Sequence, residues 1–406
     1  MIRATLRKLK VINANYARFF IAVILNSIKR KGNDMINPIQ KELQWFDYIT
    51  PAYNDLGDAN YLDANGDLIE GLYSDLPNDV YHSLSAFSSS LIKELVKNTP
   101  AHVYRNYFSD IDRKRTTAQR NTLDTGTYGH ELILEPEGFY DRYFRVPLKV
   151  DFPDALSTAA EIKAELKNAG IKCTGTKAEL VERARAELPH IDIFDAILED
   201  AIEKGAGKQA LAEAQARLNS KACSSLLTAF DDGALSHVTH KSPIDGLVWD
   251  DAHRIQQTFL THARAKKLIS NGFAELTMIA RDADTGLMLK VKFDYINEMA
   301  IASDVKTTRS ANPRKFAMQC RDLAYDVQAE FYKYVANLAG VPVELFAFVS
   351  VEYLEADICE VFEIHRTRQL KAKEQMKNAL STLKQCLEDE NWFGYTVNDE
   401  IMVIDW

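Results

Sequence analysis

Asp304, Val305 and Lys306 form an Asp-x-Lys triplet, and Asp294 stands ten residues before it. Two carboxylates and an ammonium in that order are suited to hydrolysing a phosphodiester. A hard cation polarises the phosphoryl oxygen and lowers the pKa of an attacking water. Mg²⁺, with Mn²⁺ as a substitute, takes one or two carboxylates and completes its shell with water and substrate oxygens. Asp294 and Asp304 are the candidate carboxylates, and the Val305 carbonyl is a further candidate metal ligand. Residues two apart on a strand share a face, so Lys306 stands beside Asp304, where an ammonium can orient the water and stabilise developing charge. Glu275 lies on the preceding strand. Gln328 and Tyr332 share a helix face at i, i+4 spacing and, like Thr307, are candidate contacts to the backbone of such a substrate. By itself Asp-x-Lys is most often a surface ion pair; the ordered set raises its weight.

The elements that position these residues are legible in the periodicity. Ala274–Arg281 alternates, Asp284-Thr285-Gly286 is a turn, and Leu287–Ile296 reads as the second strand of a hairpin. Met299–Lys306 reads as a third strand ending in the triplet. One long helix is expected over Pro313–Leu338, then strands over Val343–Glu352 and Val361–His365, and a helix over Arg366–Glu388. Upstream, helices are expected between Ser88 and Tyr107, over Thr122–Leu134 and over Asp250–Ser270. Residues 36–80 are polar and turn-rich. Strands interleaved with helices imply an α/β sheet with helices packed against it.

Composition narrows the alternatives. Charged residues make up 26% and apolar residues 46%, which excludes wholesale disorder. The net charge of −9 gives no global basic surface, although a local one is compatible with it. Five cysteines without a CxxC pair argue against a zinc site, a disulfide framework and an iron–sulfur cluster, and fit reduced thiols in the cytoplasm. Residues 1–35 form a basic extension around the apolar run Phe19–Leu25, too short for the roughly 20 residues of a spanning helix. It reads either as an amphipathic segment or as sequence upstream of a start at Met35. No membrane partner is expected.

Several blocks resemble the RecE-type (exonuclease VIII) PD-(D/E)xK exonucleases of phage and prophage origin. They are Phe293-Asp294-Tyr295-Ile296, Ser303-Asp304-Val305-Lys306-Thr307-Thr308 and the Tyr-x-x-Gln-x-x-x-Tyr helix from Tyr325 to Tyr332. Val80-Tyr81-His82, Ser88-Ser89-Ser90-Leu91, Thr99-Pro100-Ala101, Leu123–His130 and Leu134–Glu137 match in the same order. The first aspartate follows Phe293 where the family has proline. The resemblance implies a restriction-endonuclease-like α/β core with an N-terminal helical region and a helical insertion. It implies a metal role for His130, resection of linear duplex DNA ends from 5′ to 3′, a homo-oligomer, and a RecT-type single-strand annealing partner.

Residues 151–222 depart from that pattern and divide the nuclease parts 36–150 and 223–406. They are helical, with capped starts at Ser157-Thr158 and Thr174-Gly175-Thr176, and resemble a SAP-like helix–extended–helix DNA-binding module. There Lys177 and a helix N-terminus are placed to meet a phosphate. A helical hairpin that only packs is the alternative. For the whole chain the alternatives are a non-catalytic DNA-binding or end-protecting protein, or a nuclease of this fold acting on single-stranded or structure-specific substrates.

Overall fold

The computed structural model describes residues 44–109, 117–235, 238–354 and 356–396, with Ile401 and Val403. The basic extension over 1–35 and the basic cluster Arg113–Arg115 lie outside the described residues. The chain divides into two compact units, one holding Met1–Lys114 and Thr258–Trp406, the other Arg115–Gln257.

The first unit is built on a seven-stranded mixed sheet whose strands lie side by side in chain order. They are β1 (Ile49–Pro51), β2 (Gly71–Ser74), β3 (Gly272–Arg281), β4 (Met288–Asn297), β5 (Ala302–Thr308), β6 (Phe346–Glu352) and β7 (Ile358–Glu363). β1–β2 and β5–β6 are parallel pairs and the others antiparallel. β6 is buried at every residue, as expected of a strand covered on both faces. The helices of this unit are α1 (Asn78–Ser83), α2 (Ser89–Lys97), α3 (Pro100–Tyr107), α4 (Pro313–Asp322), α5 (Tyr325–Leu338) and α6 (Arg366–Asp389), besides the short Ala263–Leu268. Leu276, Val291, Phe293, Phe331, Val335, Phe348 and Met376 bury their side chains in the common core of sheet and helices.

Three expectations need correction. β1 and β2 come from the stretch read as polar and turn-rich, because strands of three or four residues are too short to show alternation. The helix expected over Pro313–Leu338 is two helices. Ala324 adopts a left-handed backbone (φ 51°) and ends one helix while starting the next. The helix expected over Asp250–Ser270 is likewise two, Gly246–Thr261 and Ala263–Leu268, with the His262 side chain accepting from Ala265 N–H at 3.1 Å.

In the second unit, helices Ala159–Asn168 and Lys177–Glu187 each begin with a capping box, Thr158 with Glu161 and Thr176 with Glu179. Ile162, Leu166, Leu180, Val181 and Ala184 close a small core between them, joined by Ile193 and Ala196. The helices Phe194–Ala206 and Lys208–Asn219 instead bury Ile202, Ala210 and Ala214 against Val146, Leu226 and Phe230.

Candidate active site

The site lies where three neighbouring strands lose regular pairing. Between β3 and β4 the pairs Ala274↔Tyr295 and Leu276↔Phe293 leave Glu275 opposite Asp294. Glu275 has a left-handed backbone, φ 52°. An L-residue there costs about 1–2 kcal/mol, and such strain gathers at functional sites. Between β4 and β5 only Tyr295↔Ser303 and Ile296↔Ala302 pair. One step further, Asp294 would oppose Asp304. There the strands part, and Asp294 Oδ2 accepts the Val305 N–H at 2.7 Å instead. The N–H and C=O of one strand residue point to the same edge, so the Val305 carbonyl faces the same opening.

Asp304 is buried at 2% exposure, and each of its carboxylate oxygens has a partner. Its Oδ1 accepts from Gln328 Nε2 at 2.7 Å, and its Oδ2 pairs with Lys306 Nζ at 2.6 Å. The triplet does not end its strand as expected: Asp304 is the third residue of β5, because the strand starts only at Ala302 and runs on to Thr308. Burial opposes the charge on Lys306, but Asp304, then Asp294 and Tyr325, outweigh it and raise the ammonium's pKa above the ordinary lysine value. Lys306 Nζ also sits 5.0 Å above the Tyr325 ring. Tyr332 packs edge-on against Phe293 at 5.0 Å and Phe346 at 5.6 Å. Burial, then Tyr81, Asp304, Asp294 and Glu275, push its phenol far above the usual range. All three carboxylates therefore act on one hydroxyl.

The structure thus brings together Glu275, Asp294, Asp304, Val305, Lys306, Gln328 and Tyr332. Thr307 is one residue from Lys306, and strand alternation turns it to the other face of β5, away from the proposed chemistry. His130 lies on the helix Thr117–Leu134 and Lys177 opens another helix, both in the second unit. Lys177 is held by Asp195 at 2.7 Å, and Glu179 Oε2 takes the Thr176 N–H at the same helix start. Both groups meant for a phosphate thus have internal partners, though a partly exposed pair of this kind contributes only about 0–1 kcal/mol and is easily exchanged.

Two lysines escaped the sequence reading. Lys292 pairs with Glu275 at 3.0 Å and also donates to Leu76 O. Lys93 on α2 donates to Gln328 Oε1 at 3.1 Å. Its signal was present: it stands four residues after the buried Ser89 and next to the buried Ile92, so it shares the inward face of an amphipathic helix.

Among the described residues no group of three or more His, Cys, Asp and Glu side chains is arranged to hold a metal. Mg²⁺ does not require such a cage, since it is commonly held by one or two carboxylates and water. The donor set here is of that kind: hard oxygens from Asp294, Asp304 and the Val305 carbonyl. These residues fit a divalent cation.

Residues 222–401 match the family model described as a PDDEXK-like domain of unknown function (DUF3799), and residues 156–188 match the SAP domain. No curated relative matches. A crystal structure described as a "Putative exonuclease" from Eubacterium rectale is similar at 12% identity, over 64% of this chain and 92% of that one, with a TM-score of 0.31. The chain therefore carries a PDDEXK-like α/β domain and a SAP domain.

Proposed function

We propose that the chain is a metal-dependent exodeoxyribonuclease that digests linear duplex DNA from its ends. The observation that carries this reading is the buried Asp304, held by Gln328 and Lys306 beside Asp294, within the residues that match a PDDEXK-like domain. A purely binding module has no need to hold carboxylates together, since like charges raise one another's cost.

Asp294 and Asp304 would hold the cation, with the Val305 carbonyl beside them. Bound there, it would supply Lewis-acid polarisation of the phosphoryl group and a more acidic water. Gln328 fixes the rotamer of Asp304. Lys306 remains an ammonium and hydrogen-bonds the water or a phosphoryl oxygen as negative charge develops. Tyr332 stays a neutral phenol and donates a hydrogen bond to the DNA backbone. The SAP domain adds affinity for duplex.

Resection from 5′ to 3′, a ring-like homo-oligomer, a RecT-type annealing partner and a metal role for His130 rest on the RecE resemblance and belong to the same proposal. End-labelled linear duplex and a covalently closed circle, each incubated with Mg²⁺, with Ca²⁺ and with chelator, test it. Loss of the linear species in Mg²⁺ alone is expected, with the circle intact and the labelled 5′ end released first. Cutting of the circle would replace the exonuclease by an endonuclease, and cleavage in chelator would remove the metal mechanism.

A further inference from the structure

The lysines buried in the first unit show what a structural lysine looks like in this fold. Lys290 donates to the carbonyls of Tyr81, His82 and Leu84. Lys292 has Glu275, and Lys333 has Glu330. Among the described residues, Lys93 has neither a carboxylate of its own nor a cage of carbonyls. Its contacts are the neutral Gln328 Oε1 and the face of Tyr325, 5.7 Å from the ring centroid. Lys306 approaches the same ring. Of the charges acting on Lys93, Lys306 and Lys97 repel it, while the attractive Asp304 already holds Gln328 and Lys306. Burial above all, and then Lys306, brings its pKa down to about 8. An ammonium kept in such a place without a counter-ion is costly, unless an anion arrives to complete it.

We infer that Lys93 is the binding site for a non-bridging oxygen of a DNA phosphodiester laid across Asp304 and Lys306, an inference that rests on the nuclease reading. Lys306 is paired with Asp304, so among the described residues the positive charge of the site that has no carboxylate partner belongs to Lys93. The same ammonium sets the amide of Gln328. Because it can only donate, it draws Oε1 towards itself and leaves Nε2 for Asp304.

A scan of single methylphosphonates along a linear duplex, each removing one phosphate charge, tests the site. Binding is measured in Ca²⁺ with full-length wild type, Lys93→Met, Lys93→Arg and Gln328→Met. At one position near the cut end, the methylphosphonate should weaken wild-type binding about tenfold, as expected for a charged hydrogen bond. Lys93→Met should show that loss already on unmodified DNA, and no further loss from that methylphosphonate. Its salt slope should be shallower by about 0.9. Lys93→Arg should keep the dependence on that position, and so should Gln328→Met, because the charge remains. If Lys93→Met does not fold, Lys93→Gln replaces it. Full additivity at every position would overturn the inference, leaving Lys93 as a support for Gln328. Failure of the wild type to bind linear duplex at all would instead overturn the nuclease reading beneath it.

Discussion

At the scale of single residues, Asp304 and Lys306 could be singled out because strand spacing alone puts them on one face. The 2.6 Å pair between them is that rule made visible. Glu275 was recognisable as a strand carboxylate, but its left-handed backbone was not, since nothing in Ala274-Glu275-Leu276 favours it over β. Strain of this kind makes a clean comparison of two variants. Glu275→Gly and Glu275→Ala both lose the carboxylate and the bond to Lys292, yet only glycine adopts that conformation freely. The glycine variant should be more stable than the alanine variant by about 1 kcal/mol, while both cleave DNA more slowly than wild type. Urea unfolding and initial digestion rates measure the two effects. Equal stability would mean that the site holds no backbone strain.

At the scale of elements, the hairpin β3–β4 could be read from Asp284-Thr285-Gly286, where Gly286 takes φ 76° and Asp282 accepts from Thr285. The break between α4 and α5 could not. Arg321-Asp322-Leu323-Ala324 contains neither glycine nor asparagine, the usual left-handed helix enders, and tertiary packing imposes the turn. Nor could the sequence show that β4 pins the segment before α2. Lys290 does so by capping the carbonyls at the end of α1, and burial lowers its pKa to about 8. Between about pH 8 and the unfolded value near 10.4 the unfolded chain binds the extra proton. This residue's contribution to stability therefore rises with pH across that window and is smallest below it. Lys290→Met should be destabilised at every pH through its unpaired carbonyls. Its deficit against wild type should widen between pH 7.5 and 9.5 in paired urea titrations. A constant deficit would mean that Lys290 titrates normally.

At the scale of the whole molecule, composition sets 151–222 apart from the rest of the chain, and side-chain packing links part of that stretch to residues on either side of it. The helices Phe194–Ala206 and Lys208–Asn219 share a core with Val146 and Phe230. The SAP match covers only 156–188. Within it Lys163, Lys167 and Lys172 are exposed, whereas Lys177 pairs with Asp195 and Arg183 donates to the carbonyls of Lys172 and Thr174. Reversing Lys163, Lys167 and Lys172 to Glu should weaken duplex binding and flatten its salt dependence by about 0.9 for each phosphate no longer neutralised. Turnover on saturating short duplex should be unchanged. Fluorescence anisotropy at several salt concentrations decides this, and an unchanged slope would assign the helix pair to packing alone.

The central claim is that phosphodiester hydrolysis takes place at Asp304 and Lys306, and single-turnover cleavage of a saturating end-labelled duplex tests it most directly. Lys306→Ala should lose on the order of 10²–10³-fold in the cleavage step, because it removes charge stabilisation specific to the transition state. Its DNA affinity in Ca²⁺ should stay within a few fold of wild type, and Asp304→Ala should lose at least as much cleavage. A Lys306→Ala enzyme cleaving at the wild-type rate would contradict the account and move the chemistry elsewhere.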